Sequence, residues 1–286
     1  MLRALIRRAY VYHRSPEITR WLEELRRTPR ALEPLRLTRY GQKAFSQSDE
    51  DGMILEIFKR IGVQSRRFIE FGVEEGVECN TALLLADGWQ GLWMDASARN
   101  VSRIGTRHGR AVASGALATR LASIDAENVD GLLAAWSGGS AAAPVEVDLL
   151  SIDIDGNDYW VWQAIKSVSA RVVVIEYNAS YPPPVEFVRV YDPAARWGRD
   201  DYFGASLTSL EKLGRELGYA LVGCSLSGAN AFFVRDDNLT EPDGSARFHA
   251  PHTAEEHYEP PRIGLTWLQA GHPPRFGENG APGLRG

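Results

Sequence analysis

The stretch FIEFGVEEGVECN, Phe68–Asn80, decides the fold. A near-continuous apolar run, Arg67–Val73, leads into Gly72-x-x-x-Gly76, and a helical pattern follows from Glu78 to Ala86. An apolar run without polar alternation suits a parallel strand buried on both faces. Glycine at 72 and 76 lets the backbone turn sharply and lets a ligand approach where a Cβ would collide. The stretch therefore predicts strand, tight turn and helix, the opening unit of a doubly wound sheet. A two-glycine loop also serves as a plain strand–helix connection, so it says more about the fold than about a ligand.

The same rhythm extends outward. Gly91–Met94, Val147–Ile154 and Val172–Tyr177 are equally apolar, and a weaker strand is expected at Arg120–Ile124. Helical patterns cover Asp49–Ile61, Ala126–Trp136 and Asp158–Lys166. Strand–helix alternation predicts right-handed crossovers and one α/β, Rossmann-like, mostly parallel sheet. The end breaks the rhythm. A helix over Ser206–Leu217 stops at Gly218, and Tyr219–Ser225 is joined to Asn230–Arg235 by the turn Leu226–Ala229 alone. So short a link holds no crossover helix, so these last two strands must be antiparallel.

The flanks differ in composition. Residues 1–45 hold eleven Lys/Arg against four Asp/Glu, and their apolar spacing predicts short amphipathic helices broken near Pro29 and Pro34. The expected partition is a basic helical extension over 1–45, a main domain over 46–239, and a Pro/Gly/His-rich tail over 240–286 whose last residues are mobile. With a net charge of −5, the body after residue 45 carries the acidic excess, which argues against nucleic acid as a partner. Two cysteines make neither a disulfide framework nor a thiolate metal site and fit a reducing cytoplasm. No apolar run is long enough to span a membrane, and the first residues lack a secretory signal. The arginines of the first helix can serve a homo-oligomer interface, a weak membrane-surface contact or solubility, and the sequence leaves these open.

Charge narrows the ligand. A pyrophosphate loop keeps its N–H groups free and avoids carboxylates, whereas this one carries Glu70, Glu74, Glu75 and Glu78. Such a loop favours a cation, and the sulfonium and ammonium of S-adenosylmethionine are cations. Glu75 and Glu78 read equally well as first-turn acids on a helix dipole. In GLWMDAS, Asp95 can accept hydrogen bonds from both hydroxyls of a ribose or cap a helix from Ala98, a cap that Ser97 can equally supply.

LLSIDIDGNDYWVW and VVVIEYN, Leu149–Trp162 and Val172–Asn178, place Asp153, Asp155, Glu176 and Asn178 at the ends of two buried strands. Ionised groups there are costly unless paired, hydrogen-bonded or bound to a cation. If the strands are neighbours, four oxygen-bearing side chains converge, a donor set that selects Mg²⁺ or Mn²⁺ over zinc. Hydrogen bonding to nearby loops with no metal is the plain alternative. Asn157 or Asp158 is expected to cap the helix from Tyr159.

Together SQSDEDG (Ser46–Gly52), FIEFGVEEGVECNT, LLSIDIDGNDYWVW, VVVIEYN, YFGASL (Tyr202–Leu207) and NAFFVRDD resemble an FkbM-type, S-adenosylmethionine-dependent class I methyltransferase domain over two-thirds of the chain. The resemblance implies cofactor contacts for Glu70, Gly72, Gly76 and Asp95, and for Gln47 and Asn80. It also implies O-methylation of a sugar or glycosylated small molecule. Where this family commonly has glycine or a small residue, the chain has Glu74 and Glu75. The Asp-x-Asp and Glu-x-Asn pairs are similar to the metal corner of divalent-cation-dependent O-methyltransferases. On this reading Asp153, Glu176 and Asn178 form the catalytic corner, and the loop Tyr181–Phe203 is the substrate lid. Trp160, Trp162, Tyr181, Trp197, Tyr202 and Phe203 are candidates for stacking on a sugar, although the two tryptophans at 160 and 162 suit packing on the sheet better. His249, His252 and His257 read as a solvated tail before they read as a metal site. A non-catalytic scaffold docking through the basic helices is the main rival. A dinucleotide enzyme is disfavoured by the acidic loop and the terminal hairpin.

Overall fold

The computed structural model describes residues 20, 21, 23–194, 198 and 200–262. The expected helix at the very start of the chain, Trp197 of the aromatic set and the end of the tail lie outside these. Seven strands form one sheet: β1 (Arg67–Phe71), β2 (Gln90–Asp95), β3 (Leu117–Leu121), β4 (Val145–Ile152), β5 (Val168–Glu176), β6 (Tyr219–Cys224) and β7 (Asn230–Arg235). Their spatial order is β3-β2-β1-β4-β5-β7-β6. The first five run parallel, and β7 lies antiparallel between β5 and β6. This is a Rossmann-like, mostly parallel α/β sheet with the reversed strand that the four-residue turn demanded.

Each central strand sends alternate side chains to opposite layers. In β5, Val173 and Ile175 join one core, which includes Val161 and Trp162 of one helix and Leu207, Leu210 and Leu213 of another. Val172 and Val174 join the other core, with Met53, Ile54, Ile57, Phe58 and Ile61. Those five lie on one face of α2 (Glu50–Ile61), which follows the short α1 (Pro29–Leu32) and ends at Gly62 with φ +71°. At roughly 1.5–3 kcal/mol for each fully buried large apolar side chain, these stripes dominate the stability of both layers.

Two elements depart from expectation. α3 covers Ala82–Ala86 rather than starting at Glu78, because Asn80 and Thr81 are held by a side chain of β1 described below. β3 lies three residues before the expected strand; it is an edge strand with exposed Arg120 and Leu121, so it lacks a continuous apolar run. Ser97 caps α4 (Ala98–Arg107) by accepting from Asn100 N, and the short α5 (Gly109–Ala113) follows. The remaining helices are α6 (Val129–Ser137), α7 (Asp158–Ala164), α8 (Leu207–Glu216) and α9 (Ala254–His257).

The tail histidines are not solvated throughout, which corrects the sequence reading. Fully buried Phe248 and Ala254 carry this segment onto the body, and His257 is 3% exposed. It stacks on His252 at 6.2 Å, and burial pushes its pKa down to about 3. Arg36 pairs with Glu256 and Arg30 bonds to the Tyr258 carbonyl, so the two flanks meet. Among the described residues no helix is long and apolar enough to cross a membrane.

Candidate functional site

A cavity of about 1060 Å³ opens at the carboxyl edge of the sheet. Gln47, Glu70, Gly72, Asn80, Asp95, Asp153, Asp155, Glu176 and Asn178 all line it. Gly76 does not. With φ +70°, it turns the loop beneath Trp93 and His108, where an added Cβ would lie 2.9 Å from Trp93, so packing explains this glycine without a ligand.

Glu70, at the end of β1, spends both oxygens on the loop that follows. Oε1 accepts from Asn80 N at 2.7 Å, and Oε2 accepts from Thr81 N and the Thr81 hydroxyl. Burial raises its pKa to about 7, against the pull of those three donors. Its role is to shape residues 72–81 rather than to offer a free carboxylate. Gly72 has φ +71°, and a Cβ there would stand 1.6 Å from the Asp153 carbonyl oxygen. No other residue fits, because the turn after β1 crosses the end of β4. Asp95 accepts from Glu74 N through Oδ2, and from Ser97 N and Asn100 Nδ2 through Oδ1. Three donors leave room for about one more on a carboxylate with roughly four acceptor positions.

The acids of SQSDEDG are tethers as well. Asp51 Oδ2 gathers the N–H groups of Ala44, Phe45 and Ser46 at 2.7 Å each. Asp49 accepts from Leu226 N, and Glu50 from Ser48 N and Asn230 Nδ2. They fix the segment that brings Gln47 to the cavity wall.

The acidic corner is built differently. β4 and β5 pair up to Ile152↔Ile175, so the next residues, Asp153 and Glu176, stand side by side. Asp155 turns back with φ +58°. One oxygen from each of Asp153, Asp155 and Glu176 lies within 4.8 Å of the others. The turn is held by Asp158, whose oxygens accept from Ile154 N and Gly156 N. That corrects the expected cap: Asp158 bonds the preceding turn, and Asn157 donates to the Asp192 carbonyl instead of capping the helix. Burial, then the charge of the neighbouring carboxylates, pushes Asp153 and Glu176 well above the usual carboxylate range. Glu176 Oε2 is fully buried without a hydrogen-bond partner.

Asn178 lines the same cavity, and both ends of its amide are engaged by loop backbone. Its amide donates to the carbonyls of Asp201 and Phe203, and its oxygen accepts from Ser180 N. It pins both ends of the loop expected to be a lid. That loop is further tied by the Val188↔Ala205 bridge and by Tyr181 stacked on Phe187 at 4.1 Å. Of the described aromatic candidates, Phe203 alone lines the cavity; Trp162 packs on Phe233 in the core, and Trp160 donates to the Arg189 carbonyl.

The sequence reading missed the far wall, formed by Ser227–Asn230 of the β6–β7 turn and Pro261. The signal was available for Asn230, because pairing the hairpin strand antiparallel against β5 puts it opposite Glu176.

No family model matches the sequence, and no curated protein matches it. Solved structures do match in fold. The carbon methyltransferase CurJ is 11% identical with a TM-score of 0.43, over 70% of this chain and 57% of that one. The N-terminal domain of EvdMO1 with SAH bound is 17% identical with a TM-score of 0.41, over 77% and 94%. The O-methyltransferase NcsB1 from neocarzinostatin biosynthesis, in complex with S-adenosylmethionine and a naphthoic acid, is 15% identical with a TM-score of 0.34, over 60% and 49%. CurJ and NcsB1 are named as methyltransferases, and the EvdMO1 domain holds SAH. At these identities and TM-scores, what this chain does rests on its own residues.

Proposed function

We propose that the protein is an S-adenosylmethionine-dependent O-methyltransferase of the FkbM type, acting on a hydroxyl of a sugar or glycosylated small molecule. One observation carries the reading: the Gly72 turn and Asp95 open into the same cavity as the carboxylates Asp153 and Glu176. When bound, the cofactor supplies a methyl group on a cationic sulfur. Gly72 leaves room for a ligand at the β1 turn, Asp95 has about one acceptor position left for a ribose hydroxyl, and Glu74 adds negative charge facing a cation, while Glu78 is paired with Lys43 at 3.2 Å. Asp153 and Glu176 sit beyond, where an acceptor hydroxyl would lose its proton. A carboxylate pushed above its ordinary range is a stronger base, which suits that step.

Asp153, Asp155 and Glu176 also fit a hard divalent cation such as Mg²⁺ or Mn²⁺, since all donors are oxygens and one is orphaned. A cation held there would acidify a bound hydroxyl. Calorimetric titration of metal-stripped protein with S-adenosylhomocysteine, with and without Mg²⁺, tests both parts. Micromolar binding is expected, with a separate Mg²⁺ heat lost in D153N. No binding under either condition overturns the methyltransferase reading and favours a scaffold protein with this fold.

A further inference from the structure

The cavity is short of hydrogen-bond donors. Among the described residues, three fully buried, unpartnered side-chain oxygens belong to its lining: Asn157 Oδ1, Glu176 Oε2 and Asn230 Oδ1. All three are acceptors. The unpartnered buried guanidinium nitrogens belong to arginines outside the lining. The described lining holds seven carboxylates and no Lys, Arg or His, so both charge and hydrogen bonding ask for a cationic donor.

Two of the orphans are neighbours. Glu176 and Asn230 are directly opposed across β5 and β7, which puts their Cβ atoms about 4.5–5.5 Å apart on one face. Asn230 is 4% exposed and its amide cannot turn freely, because Nδ2 donates to Glu50 Oε1 at 3.1 Å. Glu50 is itself fixed by Ser48 N at 2.8 Å, so Oδ1 is the end of Asn230 left over. With Asp153 beside Glu176, the row crosses β4, β5 and β7, leading away from β1 and β2, where Gly72 and Asp95 lie.

We propose that Glu176 and Asn230 form a subsite for a primary ammonium group on the methyl acceptor, making the substrate an amino-substituted alcohol of the amino-sugar kind. The proposal rests on the methyltransferase reading and adds the class of acceptor. An ammonium brings three donors and no acceptor, so it satisfies facing oxygens and leaves no lone pair stranded. A neutral hydroxyl brings one donor, no charge and two lone pairs to a wall already rich in them. The held ammonium has no lone pair to take a methyl group, so it anchors the molecule and leaves a neighbouring hydroxyl as the nucleophile. The hydroxyl oxygen bonds the methyl carbon as the carbon–sulfur bond breaks and S-adenosylhomocysteine leaves, and the hydroxyl's proton passes to Asp153, next in the row.

The test uses amide spectra of the full chain, metal-stripped and titrated first with S-adenosylhomocysteine. Ethanolamine and ethylene glycol, which differ by an ammonium for a hydroxyl, are then added in parallel. Ethanolamine is expected to shift the Asn230 side-chain amide signals while ethylene glycol leaves them in place, and E176Q is expected to weaken the effect at least tenfold with the other signals unmoved. Equal responses to the two probes, or no Asn230 response to ethanolamine while S-adenosylhomocysteine binds, overturn the proposal. A Mg²⁺ response at Asn230 without an ethanolamine response assigns the oxygens to a hydrated metal and also overturns it. Failure of S-adenosylhomocysteine to move Gly72 or Asp95 overturns the parent reading, and that result is visible before either probe is added.

Discussion

Replacing Glu70 by glutamine separates its two opposing features, burial and three donors. In the fold this carboxyl titrates near 7, against 4.5 for its ordinary value. A group whose folded pKa is raised contributes stability that is complete below about 4.5 and is lost as pH rises through about 7. Each pH unit in that window costs about 1.4 kcal/mol, so the loss is about 2–3 kcal/mol between pH 5 and pH 8. The glutamine side chain of the variant does not titrate, and every other group titrates alike in both proteins. The difference in unfolding free energy between wild type and E70Q is therefore expected to move by about 2–3 kcal/mol toward the variant between pH 5 and pH 8. Urea unfolding of both proteins at pH 5, 6, 7 and 8 measures it. A difference that stays constant over the series would show that Glu70 is ionised throughout, and the claim that burial outweighs its three donors would fall.

Two further changes probe different links. Gly72→Ala places a Cβ 1.6 Å from the Asp153 carbonyl oxygen at φ +71°. The left-handed backbone alone costs roughly 1–2 kcal/mol, and the ends of β1 and β4 must also part, so calorimetry should show S-adenosylhomocysteine affinity down at least tenfold; unchanged affinity would dissociate the turn from the ligand. Asp148→Ala takes from Arg171, which is 1% exposed, the carboxylate it pairs with at 2.9 Å between β4 and β5, leaving the carbonyls of Ile61 and Gly62 and the Asn238 amide oxygen. Breaking such a pair costs about 3–5 kcal/mol, or a Tm loss on the order of 10 °C, with S-adenosylhomocysteine affinity of the folded protein unchanged; a loss under about 2 °C would show that the pair is dispensable.

The sheet was legible because its signals are collective. Val172–Tyr177 reads as a strand from its apolar run alone, and the four-residue link before Asn230 permits no topology but a reversed strand. Elements governed by one side chain were not legible. α3 starts four residues late because Glu70 claims the N–H groups of Asn80 and Thr81, and nothing in ECNTALL announces a tether from ten residues upstream. The buried face of the tail was hidden for a similar reason. A single Phe248 and a four-residue helix anchor it, too little periodicity to register against a Pro- and His-rich background.

The acids of the site share one composition and divide by what they touch. Glu70, Asp95, Asp51 and Asp158 each accept two or more hydrogen bonds from nearby loops, so each is tethered within the fold. Glu176 lies on the same edge with an oxygen that meets nothing, beside Asp153. Sequence alone cannot make this division, since it depends on where each strand stops: Glu176 closes β5 and Asp153 lies one residue past β4, whereas Glu70 is still one residue inside β1, within reach of its own loop. A buried acceptor that the protein leaves unsatisfied costs about 1–3 kcal/mol, and more when charged. Loops that surround Glu176 satisfy Asp158 and Asn178 with short backbone contacts, so they are able to supply donors and yet supply none to it. The missing partner has to come from what enters the cavity, which makes Glu176, rather than the better-tethered Glu70, the residue on which the choice of ligand turns.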